Sequence, residues 1–398
     1  MTSYLLYVLI VATFLYYTLE RYRRFEKTRA LIRWRVHVNG IRGKSTTTRY
    51  IAAVFREQGY RTFGKTTGSA ARILLPDGSE TSIDRKGMAN VNEQVKILKQ
   101  FSNEGAEAAV MECMAINPMY GEWLEQKVMQ SHIGVLTNIR LDHTDYLGET
   151  LEEIGRSLAK SIPRNGILIT AEQEPKLQDI LKHSAQERGT ELVVVDGSSI
   201  EPDSLKGFIH FAIEENIAIG YAVADRIGLS RDRALRAMQT AKPDPGALYL
   251  TTLKRGTKTI HWANLFAVND RESFLSLCER IFSMHPGSQR LVILNNRHDR
   301  ASRVELFTKL SLQLQFEAII TFGDYEKEVS QLASSTRCRV VHCGNSSALN
   351  EANGFTLLEM IETLINPEGS AVLIGAVNIH TPQSHRLMDA ITSLQPWS

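Results

Sequence analysis

Trp34-Arg-Val-His-Val38-Asn-Gly40-Ile-Arg42-Gly43-Lys44-Ser45-Thr46-Thr-Thr48 is the stretch whose reading decides the fold. Its first five residues form a strand-like run. The segment from Thr46 to Gln58, closed by Gly59, reads as a helix. Between them lies G-x-x-G-K-[ST], the composition of a phosphate-binding loop in the strand-to-helix setting that such a loop requires. Glycines let backbone N–H groups close around phosphate oxygens, and the helix N-terminus adds a field that favours anions. Lys44 is positioned to neutralise β- and γ-phosphates, and the Ser45 hydroxyl to ligate Mg²⁺. The usual spacing would place a further glycine at position 38, where valine stands, so this is a shortened loop.

Outward from this segment, short apolar runs alternate with helical patterns: Ala108–Glu112, Ile133–Thr137, Ile167–Thr170 and Leu192–Val195. That alternation predicts an α/β fold with a doubly wound, mostly parallel sheet. Two prolines and a glycine at Lys242-Pro243-Asp244-Pro245-Gly246 mark a linker. Beyond it the alternation restarts, with strands expected at 291–294, 318–321, 339–342 and 371–375, in a second, smaller α/β domain. The expected organisation is an anchor with its basic flank at 1–25, a phosphate-loop domain at 34–242 and a C-terminal α/β domain at 246–398.

The anchor rests on Tyr4–Leu19, which carries no charge, followed by Arg21, Arg23, Arg24 and Lys27. Sixteen apolar positions are at the short end of a membrane span, which needs roughly 20. The basic cluster after the run places the main body in the cytoplasm by the positive-inside rule. A cleaved signal peptide would carry its positive charge before the apolar run and a small-residue site after it. The expected location is therefore the cell membrane, single-pass, with a cytoplasmic body. A net charge of +2 without a basic, aromatic-laced stripe argues against nucleic acid as a partner. Cys113, Cys278, Cys338 and Cys343 lack metal or disulfide spacing and read as reduced thiols.

Ligands in doubly wound sheets bind beyond the carboxyl ends of strands. Glu112 ends one apolar run, and Asp142-His143-Thr144-Asp145 follows another. Ser45, Glu112 and His143 would together present hard oxygens and one nitrogen to a divalent cation. Gly64-Lys65-Thr66-Thr67-Gly68 is a second small-residue loop able to line the same cleft.

These motifs, in this order, resemble those of the Mur ligase superfamily: the GxxGK[ST] loop, a strand-end glutamate, and Thr137-Asn138-Ile-Arg-Leu-Asp142-His143-Thr144-Asp145. Leu147-Gly148-Glu149-Thr150 is most similar to the folylpolyglutamate synthase branch. Further stretches resemble the poly-γ-glutamate synthase ligases over essentially the whole length. They are Gly64–Gly68 with Ala71-Arg72, Glu112-Cys-Met-Ala115 with Asn117-Pro118, Pro243–Ala247, Phe266–Asp270 and Val377–His380.

The resemblance implies an ATP-dependent acid–amino-acid ligase, ADP-forming, that makes γ-glutamyl bonds through an acyl phosphate in capsule biosynthesis. By the same resemblance the smaller C-terminal domain is expected to be Rossmann-like. It implies ATP and Mg²⁺ (Mn²⁺ as the alternative ion), and as partners glutamate, the growing poly-γ-glutamate, the membrane and integral-membrane synthase or export subunits. Lys44, His143 and Glu112 take the catalytic roles. Gly40, Arg42, Gly43, Lys44, Ser45 and Thr46 hold the nucleotide, joined from the second domain by Asn269, Arg300 and His380. Ser45, Glu112 and His143 hold the metal. Leu265 stands where Mur ligases carry an aspartate, and Arg42 replaces the usual asparagine. The position of the family's carbamylated lysine is Leu158, with Lys160 two residues on, expected as a solvated helix residue. Two other functions fit the loop: a Mur-like ligase or amidating enzyme on a cell-wall precursor, and a membrane-tethered regulatory NTPase or kinase for polymer export.

Overall fold

The computed structural model describes the chain apart from residues 1, 68–70, 84–89, 206, 209, 244–247, 267, 269, 344–353, 379–380 and 395–398. Gly68, the linker residues 244–247, Asn269 and His380 thus lie outside the described residues. The chain divides into two compact units, Met1–Pro245 and Gly246–Ser398.

The larger unit contains β1 (Trp34–Asn39), β2 (Thr62–Lys65), β3 (Arg72–Leu74), β4 (Glu80–Ser82), β5 (Ala108–Glu112), β6 (Ile133–Leu136), β7 (Ile167–Thr170) and β8 (Glu191–Val194). Its helices are α1 (Thr2–Ala30), α2 (Lys44–Glu57), α3 (Asn92–Asn103), α4 (Pro118–Trp123), α5 (Thr144–Leu147), α6 (Leu151–Ala159), α7 (Pro175–Glu187), α8 (Glu214–Ile227) and α9 (Arg231–Thr240). The sheet runs β4-β3-β2-β5-β1-β6-β7-β8. Its parallel strands are short apolar runs because helices cover both faces. Tyr50, Val54 and Phe55 of α2 pack with Ile217 and Val223 of α8 and Met238 of α9 on one face. On the other, Ile97, Leu98 and Phe101 of α3 pack with Leu124, Val128 and Met129 of a π-helix continuing α4.

β1 lies between β5 and β6, parallel to both, with Val38 opposite Glu112 and Asn39 opposite Leu136. The sequence reading did not foresee β3 and β4, which add an antiparallel edge. At three residues each they are too short for an alternation to show.

α1 runs through the apolar stretch and its basic flank without a break. Its apolar part is exposed, and the helix is long and apolar enough to cross a membrane. Its last turns behave differently. Phe25 and Arg29 are buried, Phe25 joins the α3 core cluster, and Arg29 Nη2 donates to Gln130 Oε1 at 2.7 Å. The expected boundary after residue 25 falls inside this packed segment.

The second unit has β9 (Leu250–Arg255), β10 (Lys258–Leu265), β11 (Gln289–Asn296), β12 (Ala318–Gly323), β13 (Arg339–His342) and β14 (Ser370–Ala376), in the order β13-β12-β11-β14-β10-β9. Helices α10 (Arg271–Met284), α11 (Ala301–Gln313), α12 (Glu326–Ala333), α13 (Gly354–Glu362) and α14 (Pro382–Ser393) accompany it. β9 and β10 form an antiparallel hairpin, unforeseen from sequence, that turns at Gly256 with φ 59°. A positive φ at a two-residue hairpin turn favours glycine.

Candidate active site

The loop after β1 is closed by contacts that only glycines permit. Gly40 has φ 124°, and a Cβ there would collide with the Thr137 hydroxyl. Gly43 has φ 78°, and a Cβ would stand 2.7 Å from Asn216 Oδ1. Neither backbone is one that a side chain tolerates well. Residues after β6 hold the loop from outside. Ile41 N donates to Asn138 O at 3.2 Å, Arg42 N to Asn138 Oδ1 at 3.0 Å, and Thr137 Oγ1 to Arg42 O at 2.6 Å. The Arg42 guanidinium reaches Asp142 Oδ2 at 3.0 Å. Thus the Thr137–Asp145 stretch and the loop are one assembly.

Lys44 Nζ folds back onto its own loop, donating to Gly40 O at 2.8 Å and Ile41 O at 3.2 Å. Burial holds this ammonium below the ordinary lysine range, while Glu112 acts in the opposite sense. Carbonyl oxygens are weak partners for a buried cation, so the arrangement suits an anion arriving at the loop.

On the β5 side, Ser45 Oγ donates to Glu112 Oε2 at 2.8 Å. Thr67 donates to the same carboxylate through N at 2.8 Å and Oγ1 at 2.6 Å. Gln94 Nε2 fixes the Glu112 carbonyl at 2.8 Å, and Glu112 is 2% exposed. The carboxylate and two hydroxyls are hard oxygen donors of the kind a divalent cation takes. His143 begins α5 with φ 52°, half-exposed, its Nε2 4.0 Å from Asp142 Oδ2. The strand order therefore sets Glu112, at the end of β5, and His143, in the segment that follows β6, on either side of β1. Among the described residues, no three acidic, histidine or cysteine side chains form a metal-binding cluster.

Behind the loop strand, His37 Nδ1 lies 2.8 Å from Glu125 Oε2, and Glu125 also accepts from Ser131 N and Oγ. Burial opposes charge on His37, but Cys113 and Glu125 outweigh it and raise its pKa to about 10. The pair ties β1 to the π-helix under the site. Sequence reasoning missed this pair, as well as Gln94 and Asn216. None stands in a local motif, and each reaches the site from a distant segment.

Lys160 caps the C-terminus of α6 and is half-buried rather than fully solvated, with Leu158 buried two residues earlier. Arg300, in the second unit, ends a 3₁₀ turn after β11. Its side chain is 51% exposed and its Nε is 3.7 Å from Asp299 Oδ2.

Two family models match the chain: the Mur ligase middle domain over residues 38–210, and the poly-gamma-glutamate synthase CapB C-terminal domain over residues 250–394. The PGA synthase CapB of Bacillus subtilis (strain 168) is 32% identical over 362 residues, 90% of either chain. The capsule biosynthesis protein CapB of Bacillus anthracis is 37% identical over 294 residues, 73% of this chain and 63% of that relative's length. Among solved structures, E. coli FolC in complex with ADP aligns at a TM-score of 0.68 with 15% identity, covering 94% of each chain. The bifunctional folylpolyglutamate synthase/dihydrofolate synthase of Yersinia pestis, complexed with AMPPNP and a Mn ion, aligns at 0.65 with 18% identity, covering 94% of this chain and 93% of that one. These structures share the fold.

Fold and site together define the class: ATP-dependent ligases of the Mur type. Within that class, the chain belongs to the CapB family of poly-γ-glutamate synthases.

Proposed function

We propose that the chain forms γ-glutamyl amide bonds in poly-γ-glutamate, using ATP and Mg²⁺, from the cytoplasmic side of a membrane that takes up α1. The observation that carries this reading is the Ser45–Glu112 contact at 2.8 Å beside a loop closed by Gly40 and Gly43. It joins a phosphate cradle to hard oxygen donors at one strand end. The resemblance to CapB proteins supplies the substrate class.

In this reading a γ-carboxylate oxygen of the growing chain attacks the terminal phosphorus of ATP, and ADP leaves. The amine of the incoming glutamate then attacks the acyl carbon, releasing orthophosphate and a proton. The loop N–H groups from Gly40 to Thr46 orient the phosphates, with Arg42 at their edge. Lys44 gives up its carbonyl partners to disperse charge on the transferred group. Ser45, Glu112 and His143 would hold Mg²⁺, which supplies Lewis-acid stabilisation of phosphoryl oxygens. From the second unit, Asn269, Arg300 and His380 are proposed to contact the nucleotide. A product that must leave the cell calls for integral-membrane partners.

The test is ADP release by membranes containing the full chain, with and without glutamate. Glutamate-dependent release is expected. Turnover indifferent to glutamate would point instead to a regulatory NTPase.

A further inference from the structure

The way α1 is docked fixes which side of the catalytic unit meets the membrane. Two contacts align α1 with α3. Lys99 Nζ lies 5.5 Å from the centre of the Phe25 ring, and Ser102 Oγ donates to Thr28 O at 2.7 Å. Each pair of positions is separated by three residues along its own helix, so the two helices run side by side in one direction. α3 starts at the carboxyl edge of the sheet, where Gln94 Nε2 holds the Glu112 carbonyl. Five residues back along each helix, about 7 Å at 1.5 Å per residue, Lys99 leads to Gln94 and Phe25 leads to Glu20. Glu20 is the first charge after the apolar run. The end of that run therefore stands level with Glu112, and Tyr4–Leu19 projects beyond the edge where the phosphate loop opens.

The other neighbour of α1 gives the same level. Arg29 bonds Lys127 O and Gln130 Oε1 at the far end of the π-helix, and α4 leads from there back to the same edge. The outer side of this segment is apolar and open: Met119 is 65% exposed and Tyr120 53%, with Ile116 and Trp123 beside them. Aromatic side chains with a polar tip favour the headgroup level of a bilayer, and basic residues favour its cytoplasmic leaflet. Arg21, Arg23 and Arg24 stand on α1 within about one turn of that height, and Lys27 follows about a turn further on.

We infer that the carboxyl edge of the large sheet faces the bilayer, with Ile116, Met119, Tyr120 and Trp123 seated in its headgroup boundary beside the base of α1. This rests on the reading of α1 as a membrane helix. The catalytic cleft then opens onto the lipid surface, and the lengthening chain is released there rather than into bulk cytoplasm.

The test uses the full chain in vesicles of anionic and zwitterionic lipid, some brominated near the headgroup and others deep in the acyl chain. Subtracting the fluorescence of a Trp123→Phe variant isolates the Trp123 signal. A Leu9→Trp substitution in that variant reports on α1. The expected result is loss of the Trp123 signal with shallow bromination, a smaller loss with deep bromination, and quenching of the indole at position 9 by the deep label. An indole at 9 that is quenched beside a Trp123 that is not leaves the anchor standing and overturns the inference, assigning the patch to a protein partner. An indole at 9 that escapes quenching removes the membrane reading and the inference with it.

Discussion

β1 and β11 are both inner parallel strands of their sheets, and both end in turns rich in charge, yet the two turns are built differently. After β1, Glu112 from the neighbouring strand is 2% exposed and takes three hydrogen bonds, and the turn itself is locked by Thr137, Asn138 and Asn216. After β11, Arg297, Asp299 and Arg300 pair among themselves with side chains 35–51% exposed. A charged residue at a strand end has no chemistry by position alone. Neighbouring strands bury and pair the charge beside the first turn, while the charges of the second remain on a solvated surface.

The largest effect should come from below the first turn. Glu125→Ala leaves His37 charged or unpaired in the core, a loss of about 3–5 kcal/mol of stability, read by denaturant unfolding. The same pair has a pH signature. Because the folded pKa of His37 is raised from 6.5 to about 10, its stabilisation is complete below pH 6.5 and fades as pH rises through about 10. Melting temperatures of the intact protein should fall over that window, and Glu125→Ala should reduce that part of the slope, leaving the share that Cys113 contributes. A slope identical in both proteins would mean the pair does not set the difference between the two turns.

Next comes Lys44→Ala, expected to lower glutamate-dependent ADP release by about 10²–10³-fold, the scale for losing one charge-stabilising donor. A rate within a few-fold of the unaltered protein would place the phosphates elsewhere. Gly43→Ala should follow at about 1–3 kcal/mol, the usual cost of a strained backbone residue, here with the Asn216 side chain in the way. Calorimetry with ADP would show weakened binding, and retained affinity would show that the loop opens freely. The smallest effect belongs to the second turn. Arg300→Ala should change stability by less than about 1 kcal/mol, as exposed ion pairs do. A larger loss in unfolding experiments would erase the contrast between the turns.

Much of this is legible in the sequence alone. The Trp34–Thr48 segment declares a strand, a loop and a helix because glycine tolerance, β-branching and helix periodicity act over a few residues. The apolar runs ending at Glu112 and before Asp142 are read in the same way. The antiparallel edge of the first sheet and the hairpin of the second were not seen, since three-residue strands and weak alternation leave little local pattern.

Alone, the sequence determined the order of local elements, the glycine-rich loop between β1 and α2 and the long apolar helix, all consequences of short-range backbone and side-chain preferences. Tertiary structure decided that β5 and β6 flank β1, so that residues some seventy and a hundred positions away meet the loop. It also set Asn216 against Gly43, His37 on Glu125 and the base of α1 along α3. Those placements depend on which buried surfaces pair across the whole unit, and no window of neighbouring residues contains that information.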